Sequence, residues 1–311
     1  MMKSIVRNIV SRGLQPLENS LLHNIETENS LPPCFIIGPP RSGTTLIYES
    51  LLVSFHLAYF SNLADRFFKV PAASTYLGRN VLEKRIEGLF VSSYGQIKGW
   101  GAPSEGGRIW NRWIPENFYL PAQKATVLPS EQIRRTIASI SSTLKAPFIN
   151  KNVMHSVHIE LLDKLFPGCI FIEIQRDPVA NIRSIVRARK HKGGPRVDYN
   201  WWSVKPLNCE QFEHASIEEQ ACAQVFLLRK DISTATSLLL KKRIHVINYE
   251  NFCKDPQCQM EIVKEFFRKN LGIDLKRKNN IPEKFEISKS KPLSGPSEAI
   301  MSDWIDTHCE K

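Results

Sequence analysis

The most informative stretch of the sequence is a glycine-rich loop with the composition of an anion-binding site. It reads Gly38-Pro39-Pro40-Arg41-Ser42-Gly43-Thr44-Thr45 and follows the short apolar run of residues 34–37. After it, apolar residues recur with a helical period up to residue 55. A loop between a buried strand and a helix presents backbone N–H groups at the helix N-terminus, where the helix dipole favours negative charge. The pattern therefore predicts a phosphate or sulfate site.

The loop departs from the ATP- and GTP-binding pattern at one position. Those P-loops have a lysine directly after the second glycine. This sequence has Thr44 there, and its cation lies earlier, at Arg41. The difference counts against an ATPase, a GTPase or an ordinary kinase. A purely structural glycine turn is the alternative, but the buried strand before the loop favours an anion site.

A second candidate anion site lies downstream. Arg176 follows an apolar strand-like run, and Asp177 and Pro178 have the residue types of a helix N-cap and first helical position. Ligands of α/β sheets bind at the carboxyl ends of strands, and the planar guanidinium suits phosphate. Ser184 and Arg187 share one face of the predicted helix. The alternatives are a surface ion pair for Arg176 and a neutral helix position for Ser184.

These residues need a parallel sheet to position them. Strand-like runs alternate with helical periods, which is typical of an α/β domain with a central parallel sheet flanked by helices. We predict a helical extension over residues 1–30, one domain over residues 31–311, and an insertion of loops and short helices at about 56–130 that forms a pocket wall. The predicted strands are 34–37, 146–150, 169–174 and 243–249, and the predicted helices are 44–55, 130–144, 156–166, 178–190, 217–240 and 256–270.

The two motifs together resemble those of sulfotransferases that use 3′-phosphoadenosine 5′-phosphosulfate (PAPS). The family's 5′-phosphosulfate loop reads Pro-Arg/Lys-Ser-Gly-Thr-Thr, and Pro40, Arg41, Ser42, Gly43, Thr44 and Thr45 match it throughout. The arginine variant is similar to the branch that includes tyrosylprotein and many bacterial sulfotransferases. The family binds the donor's 3′-phosphate with an arginine and a serine at the spacing of Arg176 and Ser184. The resemblance covers about residues 34–271 and implies the P-loop NTPase-like sulfotransferase fold.

The resemblance also implies a reaction. A sulfuryl group passes from PAPS to a hydroxyl or amine of a small-molecule acceptor, such as a natural product, and 3′-phosphoadenosine 5′-phosphate (PAP) is released. Like phosphoryl transfer, this in-line displacement depends on positioning and electrostatic stabilisation. A sulfonate has less charge than a phosphate, so cationic side chains can replace a metal ion. We therefore expect no metal.

Three residues are candidates for catalysis. Arg41 is the first choice for stabilising the leaving group, and Lys151 is the second, because relatives have a lysine after the equivalent strand; an exposed loop lysine is the alternative. A hydroxyl acceptor needs a general base, and the glutamate that several relatives place after the phosphate loop is missing here. Glu105 is the best substitute, although Ser104 and Glu105 could merely cap a helix. The other candidates for the base are His155, His56 and Asp65.

Three further positions are assigned to the donor site by the resemblance. The family often has a Tyr-Glu pair after this strand, with the tyrosine near the nucleotide, and Tyr249 matches it; a core tyrosine at the strand end is the alternative. Cytosolic members often end in an Arg-Lys-Gly segment that this chain lacks. Ser288 and Lys291 are the candidates to close over the nucleotide instead, and a solvated tail is the alternative.

The composition limits the kinds of binding partner and the cellular compartment that we expect. The 311 residues have a formal charge of +11, which favours anionic partners, although a solubilising surface is the alternative. Seven scattered cysteines without a Cys-x-x-Cys pair argue against disulfides and zinc. No signal peptide or membrane span is evident. We expect a cytoplasmic monomer or homodimer with a small-molecule acceptor and no nucleic acid.

Several interpretations stay open. Tryptophans in the irregular segments could line an acceptor pocket or belong to the core: Trp100, Trp110, Trp113, Trp201 and Trp202. A P-loop kinase-like phosphotransferase and a basic nucleic-acid-binding module are the rival functions. The second predicts salt-dependent binding, but the sequence has no recognisable nucleic-acid-binding motif.

Overall fold

A parallel sheet organises the computed structural model, which describes residues 2–28, 30–83, 90, 97–115, 119–191, 201–287 and 291–309. Within these residues the sheet has four strands in the order β2-β1-β3-β4, and all neighbouring pairs are parallel. Cys34 lies opposite both Ile149 and Ile170 in the register. The strands are β1 (Cys34–Ile37), β2 (Ile149–Lys151), β3 (Ile170–Gln175) and β4 (Ile244–Asn248).

Helices cover both faces of the sheet. They are α1 (Met2–His23), α2 (Thr44–Ser54), α3 (Asn62–Arg66), α4 (Pro71–Glu83), α5 (Gly107–Trp110), α6 (Ser130–Leu144), α7 (Ile159–Leu165), α8 (Pro178–Lys190), α9 (Ile217–Ser237), α10 (Tyr249–Lys254), α11 (Pro256–Leu271) and α12 (Ser297–Cys309). Short 3₁₀ helices span Ala122–Val127, Val153–Val157, Glu210–Phe212 and Lys241–Arg243. The predicted α/β class with a central parallel sheet is confirmed.

The alternation of side chains along β1 separates the core into two layers. Cys34 and Ile36 are fully buried in a cluster with residues of α2 and α11. Phe35 and Ile37 point the other way, into a cluster with residues of α6 and α7. Because both faces are covered, β1 is apolar throughout, as expected for a central parallel strand.

The helix that follows β3 begins as the sequence predicts. The Asp177 carboxylate accepts a hydrogen bond from the Ala180 backbone N–H at 2.7 Å, and Pro178 occupies the first helical position. Proline loses nothing there, because that N–H has no partner within the helix. The cap fixes where β3 ends and α8 starts, and so it fixes the position of Arg176 between them.

Some boundaries differ from the prediction for local reasons. Asn248 accepts a hydrogen bond from the Asn251 N–H at 2.9 Å, so Tyr249 begins α10 instead of ending a strand. The Asn152 side chain accepts from the Met154 N–H at 2.9 Å and starts a 3₁₀ turn. The helix predicted over 156–166 is therefore divided between that turn and α7.

The N-terminal helix α1 has 22 residues, and it packs on α4 and α6. Arg135 of α6 donates to the backbone carbonyl of Leu22 at 2.8 Å. The division at residue 30 and the extent of the insertion at 56–130 stay predictions. No helix in the part of the chain that the structure describes is both long and apolar enough to cross a membrane.

Candidate functional site

The glycine loop joins β1 to α2, and two of its glycines are required sterically. Gly38 has φ +150°, and a Cβ there would lie 2.8 Å from the backbone oxygen of Ile174. Gly43 has φ +99°, and its Cβ would lie 2.2 Å from the Tyr249 ring. Glycine adopts both conformations without a steric penalty. The loop can therefore lie directly against β3 and α10 and present the N-terminus of α2, as expected for an anion site.

Arg41 sits in the loop in a left-handed conformation, with φ 65°. This conformation costs a residue other than glycine about 1 kcal/mol. Arg176 donates from Nη1 to the Arg41 carbonyl at 2.8 Å, which stabilises the turn. The Arg41 side chain donates from Nε to Oγ of Ser184 at 3.2 Å. The two predicted anion motifs are thus in direct contact.

Three neighbours hold the loop in place. Ser156 accepts from the Gly38 N–H at 3.0 Å and donates to the Gly38 carbonyl at 3.1 Å. Asn181, which is buried on α8, donates to the Pro40 carbonyl at 2.6 Å. Arg176 itself is 8% exposed, and its Cζ lies 4.6 Å from the centroid of the Tyr249 ring, which is within the range of a cation–π contact.

A cavity of about 240 Å³ opens between these elements. Its charged lining side chains, among the described residues, are three cations and one carboxylate: Arg41, Lys151, Arg176 and Glu105. Its other lining residues are Pro40, Gly43, Thr44, Thr45, Leu46, Val153, Ser184, Trp202, Ser203 and Tyr249. The excess of positive charge, the hydroxyl groups and the helix N-terminus suit a ligand with several anionic groups.

Lys151 and Glu105 form an ion pair in this cavity. The Lys151 ammonium donates to Oε1 of Glu105; the lysine side chain is 3% exposed and the glutamate side chain 34%. Lys151 is therefore a buried residue of β2 and not an exposed loop lysine. The Glu105 backbone carbonyl accepts weak hydrogen bonds from Asn150 and Asn152, each at 3.4 Å, so its segment is attached to the end of β2.

A second cavity, of about 190 Å³, adjoins the first. The two share Glu105, Val153 and Ser203 as lining residues. The walls of the second combine apolar and polar side chains, and the remaining residues are Gly107, Trp110, Asn111, Ile114, Pro115, Asn152, Met154, His155 and His158. The Glu105 carboxylate thus lies at the junction of a cationic cavity and a second cavity with mixed walls.

The two histidines of the second cavity belong to its structure. Burial lowers the pKa of His155 well below its usual range, and its neighbours His158 and Lys151 lower it further, so the ring is neutral near pH 7. Its Nε2 donates to Oδ1 of Asn150 at 2.8 Å. The Asn150 oxygen also accepts from the Trp110 indole at 2.9 Å, and an indole N–H can only donate.

The remaining predicted residues lie outside the two cavities. Ser42 is fully buried, and its Oγ has no hydrogen-bond partner among the residues that the structure describes. Lys291 is exposed and precedes Pro292, whose carbonyl accepts from Arg187 of α8 at 3.5 Å. The tail therefore passes over the helix that contains Ser184. Ser288 lies outside the described residues.

The alternative bases have other contacts. His56 bonds through Nε2 to the Leu144 carbonyl at 2.9 Å and lines a separate cavity. Asp65 accepts from the Arg108 N–H at the start of α5 at 2.9 Å. Ser104 accepts from the Gly106 N–H at 3.1 Å, but the N-cap residue of α5 is Gly106, without a side-chain cap, so Ser104 does not cap this helix. Glu105 and His155 are the candidate bases that line the cavities.

Four of the five tryptophans have one of the two expected roles, and Trp100 has neither. Trp110 lines the second cavity and Trp202 the first. Trp113 and Trp201 are buried in core clusters, and Trp100 is 54% exposed.

Sequence reasoning missed Ser203, which lines both cavities. It has φ +74°, a strained backbone of the kind that collects at functional sites. No sequence pattern predicts that a serine in an irregular segment lines a cavity. It also missed Asn181, although a polar residue on the same helix as Ser184 was a usable signal.

A parallel α/β sheet with a glycine loop, a helix N-terminus and clustered arginines at its carboxyl edge is the arrangement of a P-loop-like fold, and it suits a polyanionic ligand. Residues 32–270 match the sequence profile of the Sulfotransferase family. The match covers most of the 311 residues. The chain therefore belongs to the sulfotransferase family.

Two curated relatives are named omega-hydroxy-beta-dihydromenaquinone-9 sulfotransferase Stf3, one from Mycobacterium bovis and one from Mycobacterium tuberculosis. Each is 22% identical to this chain over 259 residues, which cover 76% of the chain and 62% of the relative. The chain thus spans less than two thirds of their length.

Among solved structures, the sulfotransferase STF9 from Mycobacterium avium is similar with a TM-score of 0.51. It has 17% identity, and the alignment covers 96% of this chain and 73% of STF9. This similarity concerns the fold, and it agrees with the P-loop-like sulfotransferase fold predicted from the motifs.

Proposed function

We propose that this chain transfers a sulfuryl group from PAPS to a neutral hydroxyl-bearing acceptor and releases PAP. The observation that supports this most is the cavity that gathers the loop, Arg176, Ser184, Lys151 and Glu105 around one space. Family membership supplies the reaction class, and the Stf3 relatives are named for an omega-hydroxy compound. An amine acceptor remains compatible with the same donor site.

The donor groups fit the residues present. The loop N–H groups at the start of α2, with Thr44 and Thr45, would bind the 5′-phosphosulfate. Arg176 and Ser184 would bind the 3′-phosphate, with the arginine held against Tyr249 and available as a charged donor. Lys291 and Ser288 would close over the nucleotide from the tail that crosses α8. Ser42 would act through its place in the loop, since its side chain is buried beside Gly38.

In the proposed reaction an acceptor oxygen lone pair forms a bond to sulfur while the bond from sulfur to the bridging oxygen breaks. The electron pair of the broken bond stays on the phosphate of PAP, and the acceptor proton passes to Glu105. Arg41 stabilises the charge that develops on the leaving oxygen. Lys151 orients Glu105 through their ion pair and adds positive charge beside the transferring group. The residues do this without requiring a metal ion.

The second cavity is the proposed acceptor site. It borders the donor cavity at Glu105, so an acceptor hydroxyl there lies within reach of the proposed base. Trp110, Ile114 and Met154 contribute apolar surface, and the described lining residues include no lysine or arginine. A cavity with apolar surface, neutral polar groups and one carboxylate favours a neutral, small or narrow group. Polyanionic acceptors are disfavoured there.

Nucleotide selectivity tests the donor assignment directly. Calorimetric titration is expected to give tight binding of PAP and far weaker binding of ATP, because the site has Arg176 for a 3′-phosphate and no lysine after Gly43. Tighter binding of ATP than of PAP would favour the rival kinase-like function. Binding of DNA or RNA with a steep salt dependence, together with no binding of PAP, would favour the nucleic-acid module.

The cellular setting is also part of the proposal. Six cysteines of the described part of the chain form no disulfide, and five of these are buried, which is compatible with a reducing cytoplasm. We propose a monomer or homodimer with no nucleic-acid partner.

A further inference from the structure

Helix α1 has its polar and apolar faces in an unusual arrangement. Ser11 and Glu18, two turns apart, face the protein and are 3% and 2% exposed. Glu18 accepts hydrogen bonds from the backbone N–H groups of Ala72 and Ala73, at 3.4 and 2.7 Å, at the start of α4. A helix on a soluble domain ordinarily buries its apolar stripe and exposes its polar one. Here the two most buried of the described side chains of α1 are polar and its leucines are only partly buried, so the exposed apolar side chains of the helix need an explanation.

The outward face of α1 is apolar. Ile5, Val6, Ile9 and Val10 are exposed by 52%, 55%, 63% and 37%. The pairs 5 and 9, and 6 and 10, are each four residues apart, so the four side chains form one continuous strip along the helix. A contiguous exposed apolar strip of this kind marks a surface that binds another apolar surface.

Positive charge borders the strip. The sequence has no acidic residue before Glu18. Arg12 is exposed, and the exposed Lys69 donates to Oδ1 of Asn8 at 3.4 Å. An apolar helix face beside cations complements a bilayer surface, which offers hydrocarbon beneath anionic head groups. A second protein copy would bring the same cations together and repel.

Direct contacts connect α1 to the wall of the proposed acceptor cavity. The Arg7 guanidinium lies 5.2 Å from the centroid of the Phe68 ring. The Phe68 carbonyl accepts a hydrogen bond from Arg112 at 2.6 Å, and the neighbouring Asn111 lines the second cavity. The strip and that cavity therefore belong to adjoining parts of the molecule.

We propose that the outward face of α1 binds the surface of a phospholipid membrane that contains anionic lipids. Ile5, Val6, Ile9 and Val10 insert among the acyl chains, and Arg12 contacts the head groups. The helix lies along the surface and does not span it. This inference does not depend on the proposed sulfuryl transfer, because membrane binding is measured without a nucleotide or an acceptor.

Vesicle co-sedimentation of the full chain tests the proposal. The wild type is expected to bind vesicles of phosphatidylcholine and phosphatidylglycerol at least tenfold more tightly than vesicles of phosphatidylcholine alone. Two cations close to an anionic surface are enough for a difference of this size. Val6→Gln with Ile9→Gln should reduce binding about tenfold or more. Arg12→Gln should reduce it about fivefold, and only on the anionic vesicles. Glutamine is a good helix former, so α1 should persist.

A matched control uses apolar side chains that are equally exposed elsewhere. Leu238 and Leu240 are 68% and 61% exposed near the end of α9, and changing both to glutamine should leave vesicle binding unchanged. Circular dichroism confirms that each variant is folded. Equal binding of the wild type and the Val6/Ile9 variant would overturn the proposal. A second result would also overturn it: the wild type forms a dimer and binds no vesicles, and the Val6/Ile9 variant is a monomer. In that case a second copy of the chain would cover the strip.

Discussion

The Arg41 side chain donates a hydrogen bond from Nε to Oγ of Ser184 at 3.2 Å. The two residues are 143 positions apart and belong to different motifs, the loop after β1 and the helix after β3. Parallel pairing of β1 with β3 brings the carboxyl ends of the two strands together, so both motifs open into one cavity. The proposed donor PAPS has its 3′-phosphate and its 5′-phosphosulfate on one ribose, so both motifs would contact it from the same cavity.

Replacement of Arg41 tests the proposed stabilisation of the leaving group. Arg41→Ala is expected to lower kcat about 100-fold or more, since removal of one donor at a developing charge typically has that effect. Arg41→Lys should recover part of the rate because it keeps the charge and loses the planar donor geometry. Steady-state kinetics of PAP release measure both. Turnover of the alanine variant within a few-fold of the wild type would contradict this role.

Replacement of Arg176 tests recognition of the 3′-phosphate. Arg176→Ala is expected to weaken PAP binding about 100-fold, because a charged hydrogen bond to the phosphate is lost. Adenosine 5′-phosphosulfate lacks the 3′-phosphate and serves as the control, since it reports any general damage to the loop that Arg176 also stabilises. Calorimetry with both ligands compares them. Equal losses would refute a specific contact with the 3′-phosphate.

Substitution of Gly43 by alanine, which adds one methyl group, tests the close packing between the loop and α10. Gly43→Ala would place a Cβ 2.2 Å from the Tyr249 ring, at a φ of +99°. We expect loss of most PAP binding and a free energy of unfolding lower by about 1–3 kcal/mol. Gly107→Ala is the matched control, because a Cβ there meets nothing within 4 Å. Similar PAP affinity in the two variants would show that the close approach is unimportant.

Replacement of Glu105 is expected to slow turnover without weakening donor binding. Glu105→Gln keeps the shape of the side chain but removes the proton acceptor, so kcat should fall about 100-fold or more. PAP affinity should stay within a few-fold of the wild type, because the proposed 3′-phosphate contacts are made by other residues. Single-turnover kinetics with calorimetry separate the two. An unchanged rate would show that Glu105 is not the general base, and His155 would then be the next residue to replace.

Glu18 should make stability depend on pH. Burial raises the pKa of this carboxyl to about 6, although backbone N–H groups of Ala73 and Ala72 oppose the shift. The unfolded chain ionises first as pH rises, so the folded state loses stability between about pH 4.5 and 6, by about 2 kcal/mol. Glu18→Gln should lack this loss. Denaturant unfolding across the range gives the comparison, and a pH-independent difference between the two proteins would count against the shift.

Much of the fold around the proposed donor site could be predicted because its motifs are local. The loop residues are contiguous, and Asp177 and Pro178 mark the start of α8, so strand, loop and helix are visible in the sequence. The pairing of Glu105 with Lys151 was not predictable, because it depends on how an irregular segment packs against the end of β2. The start of α10 at Tyr249 depends on one side-chain cap at Asn248, a detail that propensity does not resolve.

The acceptor side was harder to predict for a related reason. Its walls come from separate segments near Trp110, Met154 and Ser203. The positive φ of Ser203 arises from tertiary packing and has no counterpart in residue type. Four of the five tryptophans line a cavity or belong to the core as expected, whereas Trp100 is exposed. No spacing in the sequence distinguished these groups.

The most direct test of the account is turnover with PAPS. The purified chain is incubated with PAPS and a panel of neutral phenols and alcohols, with anionic acceptors as controls, and sulfonated products and PAP are measured by mass spectrometry. The account predicts that a neutral acceptor is sulfonated in step with the release of PAP, without added metal, and that Arg41→Ala abolishes both signals. A folded chain that binds no PAP, or one that phosphorylates acceptors from ATP, would contradict it.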